Sequence, residues 1–195
     1  YGNYRTGGTG TITVDGAGSA LVLEVTSPYG YGGFLTIGET GTGTLNVTNG
    51  GSVSIGTQQG RIPGLQVGAR AIANGTVTVD GPGSSISISA EVGSVGDGGY
   101  AGYIGVGTNN GTGSMTVRNG ARVTNDESGS TFIGSNGADS DGTLVITGSG
   151  TSFDAGAQLI VGGTFDFASG ALDLTAGGTG TVTVENGATL SAGEN

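Results

Sequence analysis

The chain has 195 residues, 46 of them glycine and 3 proline, with 34% hydrophobic and 10% charged residues. That much apolar content with so little charge excludes a disordered polyelectrolyte, and three prolines exclude collagen. Five arginines and no lysine stand against 15 acids, a formal net charge of −10, so no basic stripe exists to neutralise nucleic acid or an anionic membrane.

Histidine, cysteine and tryptophan are absent. The usual zinc sites, histidine-based catalysis and disulfides therefore go with them. No apolar run of about 18 residues reads as a membrane-spanning helix, and no signal peptide is visible, so the chain reads as one segment, 1–195, of a longer protein. The longest glycine-free stretch runs only from Ser19 to Tyr29 and holds Leu, Val and Thr rather than helix formers. An all-β fold is expected.

Taken in chain order, six short strands follow Gly10, Gly43, Gly75, Gly113, Gly142 and Gly180, reading TITV, TLNV, TVTV, SMTV, TLVI and TVTV. Apolar residues occupy the second and fourth positions of all six: Ile12 and Val14, Leu45 and Val47, Val77 and Val79, Met115 and Val117, Leu144 and Ile146, Val182 and Val184. This is a strand with one buried face. A second strand follows each, opening its apolar face at Leu21, Val53, Ile86, Val123, Phe153 and Leu190. Five copies of a third end in an aliphatic residue and glycine: Ile37-Gly38, Val67-Gly68, Ile104-Gly105, Ile133-Gly134 and Val161-Gly162. Three strands per repeat, with the leading glycines 29 to 38 residues apart, predict a single-stranded parallel β-helix of five full coils and a partial sixth.

The turn between the first two strands alternates. Coils two, four and six use Asn49-Gly50, Asn119-Gly120 and Asn186-Gly187, whereas coils one, three and five use Gly16-Ala17-Gly18-Ser19, Gly81-Pro82-Gly83-Ser84 and Gly148-Ser149-Gly150-Thr151. The true repeat is a pair of coils. The alternation of GTVTVDGPGSSISIS with YIGVGTNNGTGSMTVRNGARV resembles the passenger repeats of bacterial autotransporters, the type V secretion system, shared with some exopolysaccharide-sorted surface proteins. The likeness covers residues 7–193. It implies a right-handed helix displayed at the outer face of the bacterial outer membrane. It further implies a role in adhesion to a host-surface or matrix protein or glycan, or between cells, and no cofactor. Related repeats often carry Trp after the GxGS or GxGT turn, where Ala20-Leu21, Ser85-Ile86 and Ser152-Phe153 stand here.

Few residues invite a sharper role. Tyr29 and Tyr31 lie in the loop before the third strand of coil one, and Tyr100 and Tyr103 occupy the corresponding loop of coil three. Rings two coils apart on one edge could meet a sugar face or a protein, or instead cover glycine backbone of their own coil. Asp139 and Asp141 pair carboxylates as a calcium loop does, but Gly150 stands where an EF-hand needs glutamate, and no metal is expected. The segment Arg61-Ile62-Pro63-Gly64-Leu65-Gln66 is similar to the RxPxxR stretch of pectate lyases, with Gln66 in place of the second arginine. The alternative function is accordingly a polysaccharide lyase or hydrolase. The Thr rows of the first strand suggest ice binding as a third, against which count the mixed middle positions Thr13, Asn46, Thr78, Thr116, Val145 and Thr183 and the uneven loops. Residues 162–180 carry their own alternation, an extra hairpin or a partial coil. Cut coil ends also leave self-association open.

Overall fold

A computed structural model describes residues 7–25, 33–57, 62–90, 102–166, 171–173 and 177–193. All their elements are strands. Coil one carries β1 (Thr9–Asp15), β2 (Ala20–Val25) and β3 (Phe34–Ile37), and coil two β4 (Thr42–Thr48), β5 (Ser52–Thr57) and β6 (Gly64–Val67). Coil three carries β7 (Asn74–Asp80), β8 (Ser85–Ala90) and β9 (Tyr103–Val106), and coil four β10 (Thr112–Arg118), β11 (Arg122–Thr124) and β12 (Ser130–Ile133). Coil five carries β13 (Asp141–Thr147), β14 (Ser152–Asp154) and β15 (Gln158–Val161), followed by an added pair, β16 (Thr164–Asp166) and β17 (Ala171–Asp173). The last, incomplete coil carries β18 (Thr179–Glu185) and β19 (Thr189–Ser191).

Equivalent strands stack into three parallel sheets: β1-β4-β7-β10-β13-β18, β2-β5-β8-β11-β14-β19 and β3-β6-β9-β12-β15. The chain is a parallel β-helix. In the first sheet each seven-residue strand pairs without a bulge, and the leading glycines Gly10, Gly43, Gly75, Gly113, Gly142 and Gly180 form one column. Beside them run the apolar columns, from Ile12 through Leu45, Val77, Met115 and Leu144 to Val182, and from Val14 through Val47, Val79, Val117 and Ile146 to Val184. Those of coils two to five are fully buried, where they meet Val53, Ile55, Ile86, Ile88, Val123 and Phe153 of the second sheet and Leu65, Val67, Ile104, Val106 and Ile133 of the third. Ile12 and Val182, in the end coils, are only partly buried.

One expectation is corrected here and one open choice is decided. The third strand of coil three does not end at Ile104-Gly105: Val106 pairs with Val67 and Ile133, while Ile104 pairs with Leu65 and Thr131. The corner glycine is therefore Gly107, at φ 62°. Apolar-plus-glycine recurs twice in that strand, and only the strand pairing distinguishes the copies. For residues 162–180, where two layouts stood open, the outcome is an antiparallel hairpin of β16 and β17 with Thr164 opposite Asp173.

The corner from third strand to first is made by backbone against backbone. A Cβ on Gly113 would fall on the Val67 carbonyl oxygen and the Gly107 amide nitrogen, and one on Gly107 would fall on the Asp141 carbonyl. Amides at this corner extend the ladder, as Gly107 N–H donates to the Val67 oxygen at 2.8 Å and Gly134 N–H to Val106 at 2.9 Å. At the opposite corner the two turn types alternate as expected, with both residues of Asn119-Gly120 left-handed, at φ 57° and 84°. Ile72 is a less comfortable case. It sits at φ 68°, 63% exposed, two residues before β7, where Asn110 holds φ 67° before β10. A β-branched residue pays heavily in that region, and asparagine does not.

Two substitutions test this account. Gly113→Ala should cost about 2 kcal/mol or more, because the added methyl forces two backbones apart, whereas Gly10→Ala, whose Cβ meets nothing within 4 Å, should be near neutral. Equal thermal midpoints for both would contradict the close-approach argument. Ile72→Asn should raise stability by about 1 kcal/mol by relieving the left-handed strain, read as a higher melting midpoint.

Candidate functional site

The outward face of the third sheet carries an aromatic row. Phe34 and Tyr103 share one column of that face with Gly64 between them, and Phe132 shares the next with Gly105. Phe34 meets Tyr103 edge-on at a centroid distance of 6.0 Å, and Tyr103 stacks on Phe132 at 5.3 Å with 26° between the planes. The glycines make room: a Cβ on Gly64 would strike the Phe34 ring, and one on Gly105 would strike the Tyr103 ring at 2.6 Å. Aromatic pairs of this kind contribute about 1 kcal/mol beyond their burial. Phe132 is fully buried although it lies outside the aliphatic core cluster, so the row is a second, external layer of packing.

This placement revises the role given to Tyr103. It opens β9 rather than standing in a loop, and its ring covers Gly105 backbone, the alternative expected beside ligand contact. Burial raises its phenol pKa above the ordinary value of 10.0. Phe34 and Phe132 were not singled out from the sequence. The signal was present in the paired aromatic and glycine positions, but it becomes readable only once β9 is shifted by two residues. Tyr29, Tyr31, Tyr100 and Arg61 lie outside the described residues.

A polar seam follows the alternating turns. Asp15 accepts from Thr48 Oγ1 at 2.5 Å and Asn49 Nδ2 at 2.7 Å, and these two bonds hold its carboxyl below the ordinary value. Two coils on, Asp80 accepts from Arg118 Nε at 2.9 Å and Asn119 Nδ2 at 2.7 Å. Arg118 Nη2 also lies 2.8 Å from Asp80, a partly exposed ion pair that is worth little at a surface. The intervening steps are joined differently: Gly50 N–H donates to Ser84 Oγ at 3.0 Å, and Gly120 N–H to Thr151 Oγ1 at 2.8 Å. Arg122 turns away, its Nε donating to Thr124 Oγ1 at 3.1 Å.

Asp139 and Asp141 are both exposed, on either side of buried Ser140. The Asp139 amide donates to Asn110 Oδ1 at 3.2 Å, and Ser140 Oγ accepts from the Asn110 amide and donates to the Ser135 carbonyl. These bonds fix the corner before β13. No group of three or more metal-ligating side chains occurs among the described residues.

The outward face of the first sheet carries one full column of hydroxyls beside a mixed one. Thr11, Thr44, Thr76, Ser114, Thr143 and Thr181 form one column, and the mixed middle positions form the next. Connections from second to third strand, by contrast, run 26–33, 58–63, 91–102, 125–129 and 155–157. Their unevenness falls on a different edge and leaves the Thr11-to-Thr181 column unbroken. Compared with protein-family models, with curated proteins and with solved structures, the chain finds no match in any of the three.

The raised Tyr103 phenol gives a pH signature. The folded state favours the neutral ring, so its contribution is complete below the unfolded value near 10 and is lost as pH rises beyond it towards the higher folded value. Melting midpoints measured from pH 8 to 11 should fall less steeply for Tyr103→Phe than for the unaltered chain. Parallel curves would contradict the assignment.

Proposed function

We propose that the chain is a displayed passenger segment of the autotransporter kind, a rigid stalk whose uneven edge carries adhesive loops at the bacterial surface. The observation that carries this reading is the contrast between edges. The connections from first to second strand stay at three or four residues in every coil, while those from second to third strand range from 155–157 to 91–102. A scaffold that holds its rise constant while varying one row of loops presents a long binding edge. Tyr29, Tyr31 and Tyr100 belong to that row by sequence position. Its partner would be a host-surface or matrix protein, a glycan, or another cell.

The hydroxyl columns favour a second reading, ice binding. Successive threonines on a strand lie about 7 Å apart and successive coils about 4.8 Å, a two-dimensional spacing that runs over six strands and is broken at Asn46, Ser114 and Val145.

Both are measurable. Fused between a signal peptide and an outer-membrane barrel, the chain should make bacteria adhere to matrix-protein or glycan surfaces more than the barrel alone. The triple variant Tyr29→Ser, Tyr31→Ser and Tyr100→Ser should retain the far-UV spectrum and lose adhesion. Adhesion no greater than that of the barrel, together with thermal hysteresis in the purified chain, would reverse the order of the two readings.

A further inference from the structure

Asparagine is followed by glycine at Asn49, Asn74, Asn110, Asn119, Asn136 and Asn186. Such a pair carries its own chemistry, because glycine has no side chain to keep its backbone nitrogen away from the carboxamide beside it. In the five full coils the glycine nitrogens are held at all but one of these places. Gly50 N–H donates to Ser84 Oγ at 3.0 Å, Gly120 N–H to Thr151 Oγ1 at 2.8 Å and Gly111 N–H to the Thr108 carbonyl at 3.0 Å, while Gly75 lies inside β7, paired on both sides by β4 and β10. Gly137 N–H has no acceptor among the described residues.

We propose that Asn136-Gly137 is a self-modification site, where the chain converts Asn136 into aspartate and isoaspartate, and that the alternating turns suppress the same reaction at Asn49-Gly50 and Asn119-Gly120. The Gly137 nitrogen loses its proton to solvent base and attacks Asn136 Cγ. As the new N–Cγ bond forms, the Cγ–Nδ2 bond breaks and Nδ2 leaves as ammonia with a proton taken from water. Water then opens the resulting succinimide ring. Addition at Cγ gives aspartate, and addition at the backbone carbonyl carbon gives isoaspartate. Either product adds one negative charge, and isoaspartate also lengthens the backbone by a methylene.

Asn49, Asn119 and Asn136 differ little in backbone conformation, all being left-handed at φ 53°, 57° and 62°. Solvent access ranks them against the proposal, since Asn49 and Asn119 are exposed and Asn136 is half-buried. What separates them is the neighbouring coil. At Gly50 and Gly120 the nitrogen must leave Ser84 or Thr151 before it can turn to Cγ. The carboxamides of these two turns are held as well, Asn49 Nδ2 against Asp15 and Asn119 Nδ2 against Asp80, each at 2.7 Å. A carboxylate in that place opposes the negative charge that builds on the carboxamide oxygen during attack. The two-coil period thus has a chemical consequence: each GxG turn brings the hydroxyl that silences the Asn-Gly turn before it.

The unguarded pair lies at a junction. Asn136 N–H donates to the Gly163 carbonyl at 3.3 Å, and Asn109 N–H donates to the Ser135 carbonyl at 3.1 Å. Modification therefore alters the corner that links coil three to the root of the β16–β17 hairpin.

Peptide mass spectrometry of the folded chain, sampled over time in mildly alkaline buffer, reads the exchange of nitrogen for oxygen at each site. Asn136 should react about tenfold faster than Asn49 and Asn119, the factor that one hydrogen bond of ordinary strength supplies. In denaturant, where all three lose their partners, the rates should converge. Thr151→Ala should raise the rate at Asn119 about tenfold and leave that at Asn49 unchanged, while Thr151→Ser, which keeps the hydroxyl, should leave both low. Ser84→Ala should act on Asn49 alone. Equal rates at the three sites of the folded chain, a faster reaction at exposed Asn49 or Asn119, or an Asn119 rate indifferent to Thr151→Ala would overturn the proposal.

Discussion

The solenoid depends on how closely the first and third strands approach at their shared corner. Two glycine columns meet there, Gly75, Gly113 and Gly142 from the first strands and Gly68, Gly107 and Gly134 from the ends of the third. Neither column has room for a methyl group, because each glycine faces peptide oxygen or nitrogen of the other. With no side chain between the sheets, this corner is the narrowest part of the coil. The core beyond it is filled by one or two apolar residues per strand, aliphatic or Met115 except for Phe153 in β14. The abundance of glycine and the prevalence of Val, Ile and Leu are two results of one cross-section.

That constraint also explains why so much of the fold is legible in the sequence. A residue that must be glycine for steric reasons recurs at the same place in every coil, and the alternation Ile12-Val14 or Val77-Val79 beside it fixes which face is inward. The two turn types are equally visible, since Asn-Gly and GxG satisfy left-handed backbone in different numbers of residues. Where legibility failed, glycine had a second cause. Gly105 is small because the Tyr103 ring lies over it, and nothing in its immediate sequence distinguishes that from a corner. The aromatic row needed three strands in register to appear, since Phe34, Tyr103 and Phe132 come from coils one, three and four. Local pattern cannot report a contact made only by stacking.

The candidate surface was less legible than the fold for a related reason. In a solenoid, selection for the repeat acts on inward and corner positions, and the outward ones are restrained mainly by β propensity and solubility. Their Thr and Ser residues satisfy those demands whether or not anything binds. Asp15 and Asp80 look like isolated acids in the sequence, yet each ties an Asn-bearing turn to the coil before it. Asp139 and Asp141 flank a corner serine whose hydroxyl accepts an intercoil bond from the Asn110 amide and donates within its own corner to the Ser135 carbonyl. Polar groups that suggest chemistry when read singly are here largely occupied in holding neighbouring coils together.

Function in such a molecule is therefore expected where the repeat is interrupted, because an interruption has no role in the ladder. The described chain interrupts itself in two ways: the uneven connections from second to third strand, and the β16–β17 hairpin inserted before the last coil. The hairpin is the only antiparallel pairing among the described residues, and it lengthens a corner that elsewhere takes at most seven residues, 134–140. Parallel stacking tolerates this insertion because β18 still finds β13 in register on the other side of it. The ladder can therefore accept new loops at a corner without losing its core, which is the physical reason a regular rod is a suitable carrier for irregular binding segments.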